Sequence, residues 1–218
     1  VVCQFEGDRQ TALRFVRTLK NRFGPTDEVG CFEMTGDGIA EVPDPSGLFL
    51  SRSSNAVSGP CVTIALEGRR SLPVEIQALV NHTSAPQPRR VVSGVDPARV
   101  AMIIAVLEKR ARMGGLSAHD IYVSTVGGVS LREPGTDLAI ALAIGSALKD
   151  SPIPHNVAAF GEISLAGEIR PVNAAKQRTA EGSRLGYSTI IDSGVGTVRA
   201  ALDLASIRSS RTVGDDRD

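Results

Sequence analysis

Lys176 and Asp137 are the residues on which a chemical reading of this sequence turns. Lys176 closes the stretch Gly161-Glu162-Ile163-Ser164-Leu165-Ala166-Gly167-Glu168-Ile169-Arg170-Pro171-Val172-Asn173-Ala174-Ala175-Lys176. Ile163 and Leu165 alternate with polar neighbours, Gly167 punctuates and Ile169 resumes, which predicts a tight hairpin or bent strand ended by Pro171. Asn173 is then placed to cap a helix starting at Ala174, with Lys176 in its first turn. A helix N-terminus carries partial positive charge and favours acids. A lysine there calls for a buried carboxylate or a bound anion, unless it simply points into water. Asp137 follows Glu133-Pro134-Gly135-Thr136 and opens an apolar run. Thr136 or Asp137 can cap that helix, and an acid suits its positive end. The functional reading is that Asp137 and Lys176 meet at salt-bridge distance across a cleft between two helix N-termini.

Positive charge is the second chemical feature. Lys20-Asn21-Arg22-Phe23-Gly24 is a basic turn closed by Pro25. Between Arg89 and Arg112 six cations (Arg89, Arg90, Arg99, Lys109, Arg110, Arg112) face two acids, Asp96 and Glu108. Cations favour a helix C-terminus, which accounts for part of this. Arg69, Arg70, Arg132 and Arg170 could extend the patch toward DNA phosphate, whose contacts are sequence-independent and steeply salt-sensitive. No aromatics interleave with these cations, so base stacking on single strands is not expected. His82, His119 and His155 are scattered and read as surface residues. The totals limit the rest: 24 basic and 24 acidic residues balance, so any nucleic-acid contact is a local patch. Cys3, Cys31 and Cys61 are odd in number and far apart, which argues for a reducing, cytoplasmic setting without disulfides or a zinc site. No apolar run is long enough to span a membrane, and no leader is evident.

The elements that must position these groups form an α/β pattern. Val1–Phe5 is already strand-like, so the chain reads as a fragment. Ala12–Leu19 suits a strand at a sheet edge and Val29–Met34 a further strand, with a turn at Gly36-Asp37-Gly38. Two hairpins bury little alone, so this part belongs on a larger sheet. Prolines and serines crowd residues 41–60, a linker or domain junction. Beyond it, Cys61–Leu66 and Leu72–Val80 read as strands and 81–90 as a loop. Asp96 caps a helix with Pro97 at its first position; Val100, Ile103, Ile104 and Leu107 form its stripe, and Gly114-Gly115 stops it. Ile121–Val126 is a strand, Asp137–Leu148 a helix apolar nearly all round and therefore central, Ser188–Asp192 a buried strand and Val198–Ala205 the last helix.

Residues from about Val57 to Ile207 resemble the proteolytic domain of the Lon protease family. In that family a serine opens the apolar helix and a lysine follows the Gly-Glu-Ile…Gly…Pro segment, forming a Ser-Lys dyad. The lysine position falls on Lys176 here, and the serine position on Asp137. A carboxylate cannot serve as an activated hydroxyl nucleophile. Ser117, Ser124, Ser130, Ser146 and Ser164 match no nucleophile position of that pattern. Lys20-Asn21-Arg22-Phe23-Gly24 also matches the signature of the RadA/Sms DNA-repair family, RecA-like ATPases fused to a Lon-like domain. Phe5-Glu6-Gly7-Asp8, Glu33-Met34, Pro45-Ser46, Glu75–Val80, Asp137-Leu138-Ala139 and Gly161-Glu162-Ile163 resemble it as well.

The resemblance implies a Lon-like domain, a ribosomal-S5-domain-2-like mixed sheet with helices, at 61–207. Before it would stand the end of a RecA-like ATPase core (1–50) and a linker (51–60), and after it a flexible tail (208–218). It further implies a cytoplasmic DNA-dependent ATPase that drives branch migration in homologous recombination, as a homo-hexamer on duplex or branched DNA, with a RecA-type recombinase as a further partner. Lys20, Asn21, Arg22, Phe23 and Gly24 would lie at a subunit boundary near nucleotide or DNA. The family's phosphate loop and four-cysteine zinc finger do not occur in this sequence, so ATP, Mg and zinc are expected only in a longer parent. Two other readings stand beside this one: an active Ser-Lys peptidase, and a purely structural oligomerisation module.

Overall fold

The computed structural model describes residues 1–6, 13–23, 29–42, 50, 56–67 and 70–207. The expected tail and the first half of the expected linker lie outside them. The first strands, β1 (Val2–Glu6), β2 (Leu13–Lys20), β3 (Val29–Thr35) and β4 (Gly38–Glu41), form an antiparallel meander in the order β1-β2-β3-β4. β2 is therefore interior and not at the edge that its mixed composition suggested: β1 and β3 pair with it on either side. One face of this sheet exposes Phe5, Met34 and Ile39, while Cys31 on the other face is buried.

Pro60 opens the second sheet. Its strands are β5 (Pro60–Glu67), β6 (Arg70–His82), β7 (Arg90–Ser93), β8 (His119–Thr125), β9 (Val157–Ala159) and β12 (Thr189–Ile191), in the order β12-β9-β5-β6-β8-β7. The sheet is mixed, since β5/β6 and β6/β8 are antiparallel and the other neighbours parallel. A separate hairpin pairs β10 (Glu162–Ile163) with β11 (Ile169–Arg170). Among the described residues, four α-helices complete the fold: α1 (Pro97–Lys109), α2 (Asp137–Lys149), α3 (Ala175–Arg184) and α4 (Val198–Leu204). None of them is long and apolar enough to cross a membrane.

Side-chain alternation on β5 divides the core. Cys61 and Ala65 face the layer of α2, α1 and α4, while Ile64 turns to the other side, where it meets Phe160, Ala158 and Tyr187 beside α3. Every residue of α2 from Asp137 to Ser146 is buried, as its uniformly apolar run requires: the sheet lies on one flank and α1 and α4 on others. Gly145 permits that layering, because a Cβ there would sit 2.6 Å from Leu202 Cδ2 of α4. Gly59 turns into β5 at φ 106°, where a side chain would strike the Ala78 carbonyl, and its amide donates to Ser146 Oγ at 2.9 Å. The residue just before Pro60 is thereby tied to α2.

Four local expectations change. The stretch read as a loop to Arg90 is shorter, because β6 runs on to His82 and β7 follows on the far side of β8. α1 ends at Lys109 rather than at the glycines, since Ala111 N–H returns to Val106 O and Met113 N–H to Leu107 O, folding the chain back under the helix. Asn173 does not cap α3. Ala174 takes that place at φ 55°, and the Asn173 carbonyl accepts from Arg178 Nε at 3.0 Å. Of the strand expected to be buried at 188–192, only Ile191 is fully so, because β12 is an edge strand.

Candidate functional site

Asp137 is the first residue of α2 and is 1% exposed. Its carboxylate does not cap its own helix. Arg99, in the first turn of α1, presents Nε to Oδ1 at 3.2 Å and Nη2 to Oδ2, and Ile163 N–H donates to Oδ2 at 3.0 Å. Glu162 Oε1 stands 4.0 Å from the same Arg99 nitrogen. Burial pushes the Asp137 carboxyl above the ordinary range, against the pull of Arg99 and the Ile163 amide. The hydrogen bond to Asp137 in turn holds Arg99 above its usual value. A forked guanidinium on a carboxylate is the strongest neutral-pH partner available to a buried acid.

The expected contact between Asp137 and Lys176 is not made. Lys176 occupies the first turn of α3, is exposed, and forms no ion pair among the described residues. The misfit of a lysine near a positive helix end is thus relieved by water, whereas the acid's partner comes from α1. Arg99, expected on a DNA surface, forks onto Asp137 and is 29% exposed.

A second, larger polar centre lies behind the first. Arg178 is the largest fully buried side chain. Its Nη1 donates to Ile64 O and to Glu133 Oε1, each at 2.7 Å, and Nη2 donates to Glu133 Oε2. Glu133 Oε1 also accepts Leu66 N–H at 2.8 Å. This network ties α3, β5 and the turn before α2 together. Sequence reasoning missed it because Glu133 and Arg178 are 45 residues apart. One signal was present: Arg178 shares the i, i+3, i+7 stripe of α3 with Ala175 and Gly182, the inward face of a short polar helix.

The remaining basic residues separate into groups. Arg89 is exposed, with its amide on Asp120 Oδ1 at 2.7 Å. The Arg90 guanidinium donates to the carbonyls of His119, Arg89 and Leu116 and so pins a turn. Arg132 and Arg170 are exposed, Arg170 opposite Glu162 in the hairpin. Arg70 opens β6 half-buried, and Arg69 lies outside the described residues. Arg89 and Arg90 lie by the start of β7 and Arg99 beyond its end. In the first sheet, Lys20, Arg22 and Phe23 are exposed. Asn21 Oδ1 accepts Phe23 N–H at 3.0 Å, Arg22 lies 4.6 Å over the Phe23 ring, and Gly24 falls outside the described residues. Among the described residues no group of three or more His, Cys, Asp or Glu could hold a metal ion. Burial pushes the Cys61 thiol well up, leaving it unreactive.

Comparison with known proteins bears on this geometry. Over 212 residues the chain is 49% identical to the DNA repair protein RadA of Mycolicibacterium smegmatis, which covers 97% of this chain and 45% of that protein. RadA of Escherichia coli is 45% identical over 188 residues, 85% of this chain and 40% of that protein. RadA of Bacillus subtilis is 44% identical over 191 residues, 87% of this chain and 41% of that protein. This chain belongs to the RadA/Sms family. It spans somewhat less than half the length of these RadA relatives. A family model described as subunit ChlI of Mg-chelatase matches residues 122–193, a segment that holds Asp137, the β10–β11 hairpin and Lys176.

Proposed function

We propose that this chain is the part of a RadA-type DNA-dependent ATPase in which the end of a RecA-like core (1–50) joins, through a linker (51–60), a Lon-like domain (61–207) that has lost peptidase chemistry, with 208–218 as its tail. Its work in the longer protein is ring assembly and binding of duplex or branched DNA during repair and branch migration in the cytoplasm, beside a RecA-type recombinase. ATP, Mg and a zinc finger belong to that longer protein, and the fragment itself hydrolyses nothing. The observation that carries this reading is the Asp137–Arg99 pair. At the place where the Lon pattern needs a hydroxyl beside a lysine there is a carboxylate locked to an arginine, with Lys176 out in solvent. In this reading that position holds no nucleophile, and the acid is a strut between α1, α2 and the hairpin.

In this reading the exposed Arg89, Arg132 and Arg170 neutralise phosphates without reading bases. Lys20 and Arg22 place charge at a subunit boundary, where Arg22 is oriented by the Phe23 ring. Anisotropy titration of a labelled duplex at several salt concentrations tests it. Binding should weaken steeply with salt, and Arg132→Ala and Arg170→Ala should each flatten the log–log slope by about 0.9. A chain that binds no duplex would leave the structural oligomerisation module standing. Casein cleavage abolished by Lys176→Ala would establish the peptidase.

A further inference from the structure

The β10–β11 hairpin is built more rigidly than its length requires. At its tip Ser164 O accepts Gly167 N–H at 2.9 Å, Ser164 N–H donates to Glu168 O at 3.0 Å, and Ser164 Oγ accepts Glu168 N–H at 3.2 Å. Gly167 turns at φ 86° against the Arg110 stem, which a Cβ would meet at 2.8 Å. Arg99 of α1 and Arg110, the residue that caps its end, fasten the hairpin at both ends. Arg99 stands by Glu162 at the base and shares Asp137 with the Ile163 amide, while Arg110 Nε donates to Leu165 O at the tip at 3.2 Å. The far side is held by Gly167 O, which accepts Val198 N–H from α4 at 3.0 Å. What this scaffold holds out is apolar: Leu165 is 67% exposed and Ala166 beside it is exposed too.

An isolated exposed leucine normally needs no explanation. Here its backbone is clamped, and the exposed charges of its neighbourhood are mainly cationic: Arg110 on its carbonyl, Arg199 next to Val198, and Arg170 on β11, against Glu168. The core of a protein–protein interface is apolar and depleted in charge. The other exposed large apolar residues lie on the first sheet, on β6, on β7 and before β5, with Leu204 of α4 the exception. A single apolar knob among arginines instead matches a partner that is polyanionic outside and apolar between its stacked bases. Resting on the DNA-binding reading above, we propose that the Leu165 tip is a wedge that inserts at an opened base step of branched DNA, with the flanking arginines on the phosphates.

The test uses the 218-residue chain, a straight duplex, and a forked duplex carrying 2-aminopurine at the junction. The wild-type chain should bind the fork more tightly and raise 2-aminopurine fluorescence as the base unstacks. Leu165→Ser should weaken fork binding by about tenfold, the cost of leaving one buried leucine out, and abolish the fluorescence rise. Straight-duplex affinity should not change, and Leu165→Met should behave as wild type. Equal fork affinity and fluorescence for Leu165→Ser and wild type, with duplex binding intact, overturns the wedge and leaves the DNA-binding reading in place. If Leu165→Ser lowers the molar mass in solution instead, the tip is a contact between copies and the wedge is wrong. A wild-type chain that binds neither DNA sinks both readings together.

Discussion

Replacing Asp137 by Ala tests the central electrostatic claim. The substitution removes a forked ion pair and strips Ile163 N–H of its acceptor. Deleting one member of a buried pair costs about 3–5 kcal/mol, because the other charge is left uncompensated. Arg99 retains 29% of its side-chain exposure, so its charge regains part of its hydration and the expected loss falls to about 2–4 kcal/mol. For a chain of this size that lowers Tm by roughly 5–12 °C. Asp137→Asn keeps carbonyl acceptance for one of the two donors and should lose about half as much. Chemical denaturation of Asp137→Ala, Arg99→Met and the double variant closes a cycle, whose coupling energy should reach about 1.5–3 kcal/mol. Coupling below about 0.5 kcal/mol would refute the strut. Asp137→Ser restores the hydroxyl of the Lon pattern, yet no cleavage of casein should appear, because Lys176 is exposed and unpaired with this position. Lys176-dependent cleavage by that variant would show that the two groups do meet.

Three other outcomes are expected. Arg178→Met should destabilise by about 3–5 kcal/mol in urea denaturation and Arg178→Lys should not rescue it, since a single ammonium cannot span Glu133 and the Ile64 and Asn173 carbonyls. Thr63 Oγ1 is buried without a hydrogen-bond partner among the described residues, so Thr63→Val should raise stability by about 1 kcal/mol; an equal loss would mean that the hydroxyl is satisfied in solution. Burial, with Glu75 nearby, pushes the Tyr187 phenol from 10.0 up to about 12. A group raised on folding contributes fully below its unfolded value, so stability from Tyr187 should be lost as pH rises from about 10 to about 12. Tyr187→Phe should flatten the fall of the denaturation midpoint across that window, and parallel curves would contradict it.

Much of the scaffold was legible because it rests on local patterns. Asp96 and Pro97 start α1 as spacing implied, with Asp96 Oδ1 accepting Ala98 N–H at 2.8 Å. The apolar run of α2 is as deeply buried as its lack of a polar face required. The hairpin around Gly167 forms where alternation and glycine placed it. The partners of the charged groups were not legible. Asp137 lies 38 residues from Arg99 and Glu133 lies 45 from Arg178, and no periodicity links them. β7 was hidden for a related reason: its four residues, Arg-Val-Val-Ser, gain their structure from β8 alongside.

By itself the sequence determined the four helices and most of the strands, the exposure of the basic turn at Lys20–Phe23, and an acid at the head of the apolar helix. Those follow from residue type and short-range spacing, which fix capping, alternation and chemical identity without reference to the rest of the chain. Only the tertiary structure decided that Asp137 belongs to Arg99 and not to Lys176. It also decided that Arg178 is an internal strut, and that Arg99 and Arg110 brace a hairpin whose leucine faces water. A charge takes the partner that desolvation and geometry bring within reach, and that choice is made where separate elements pack together.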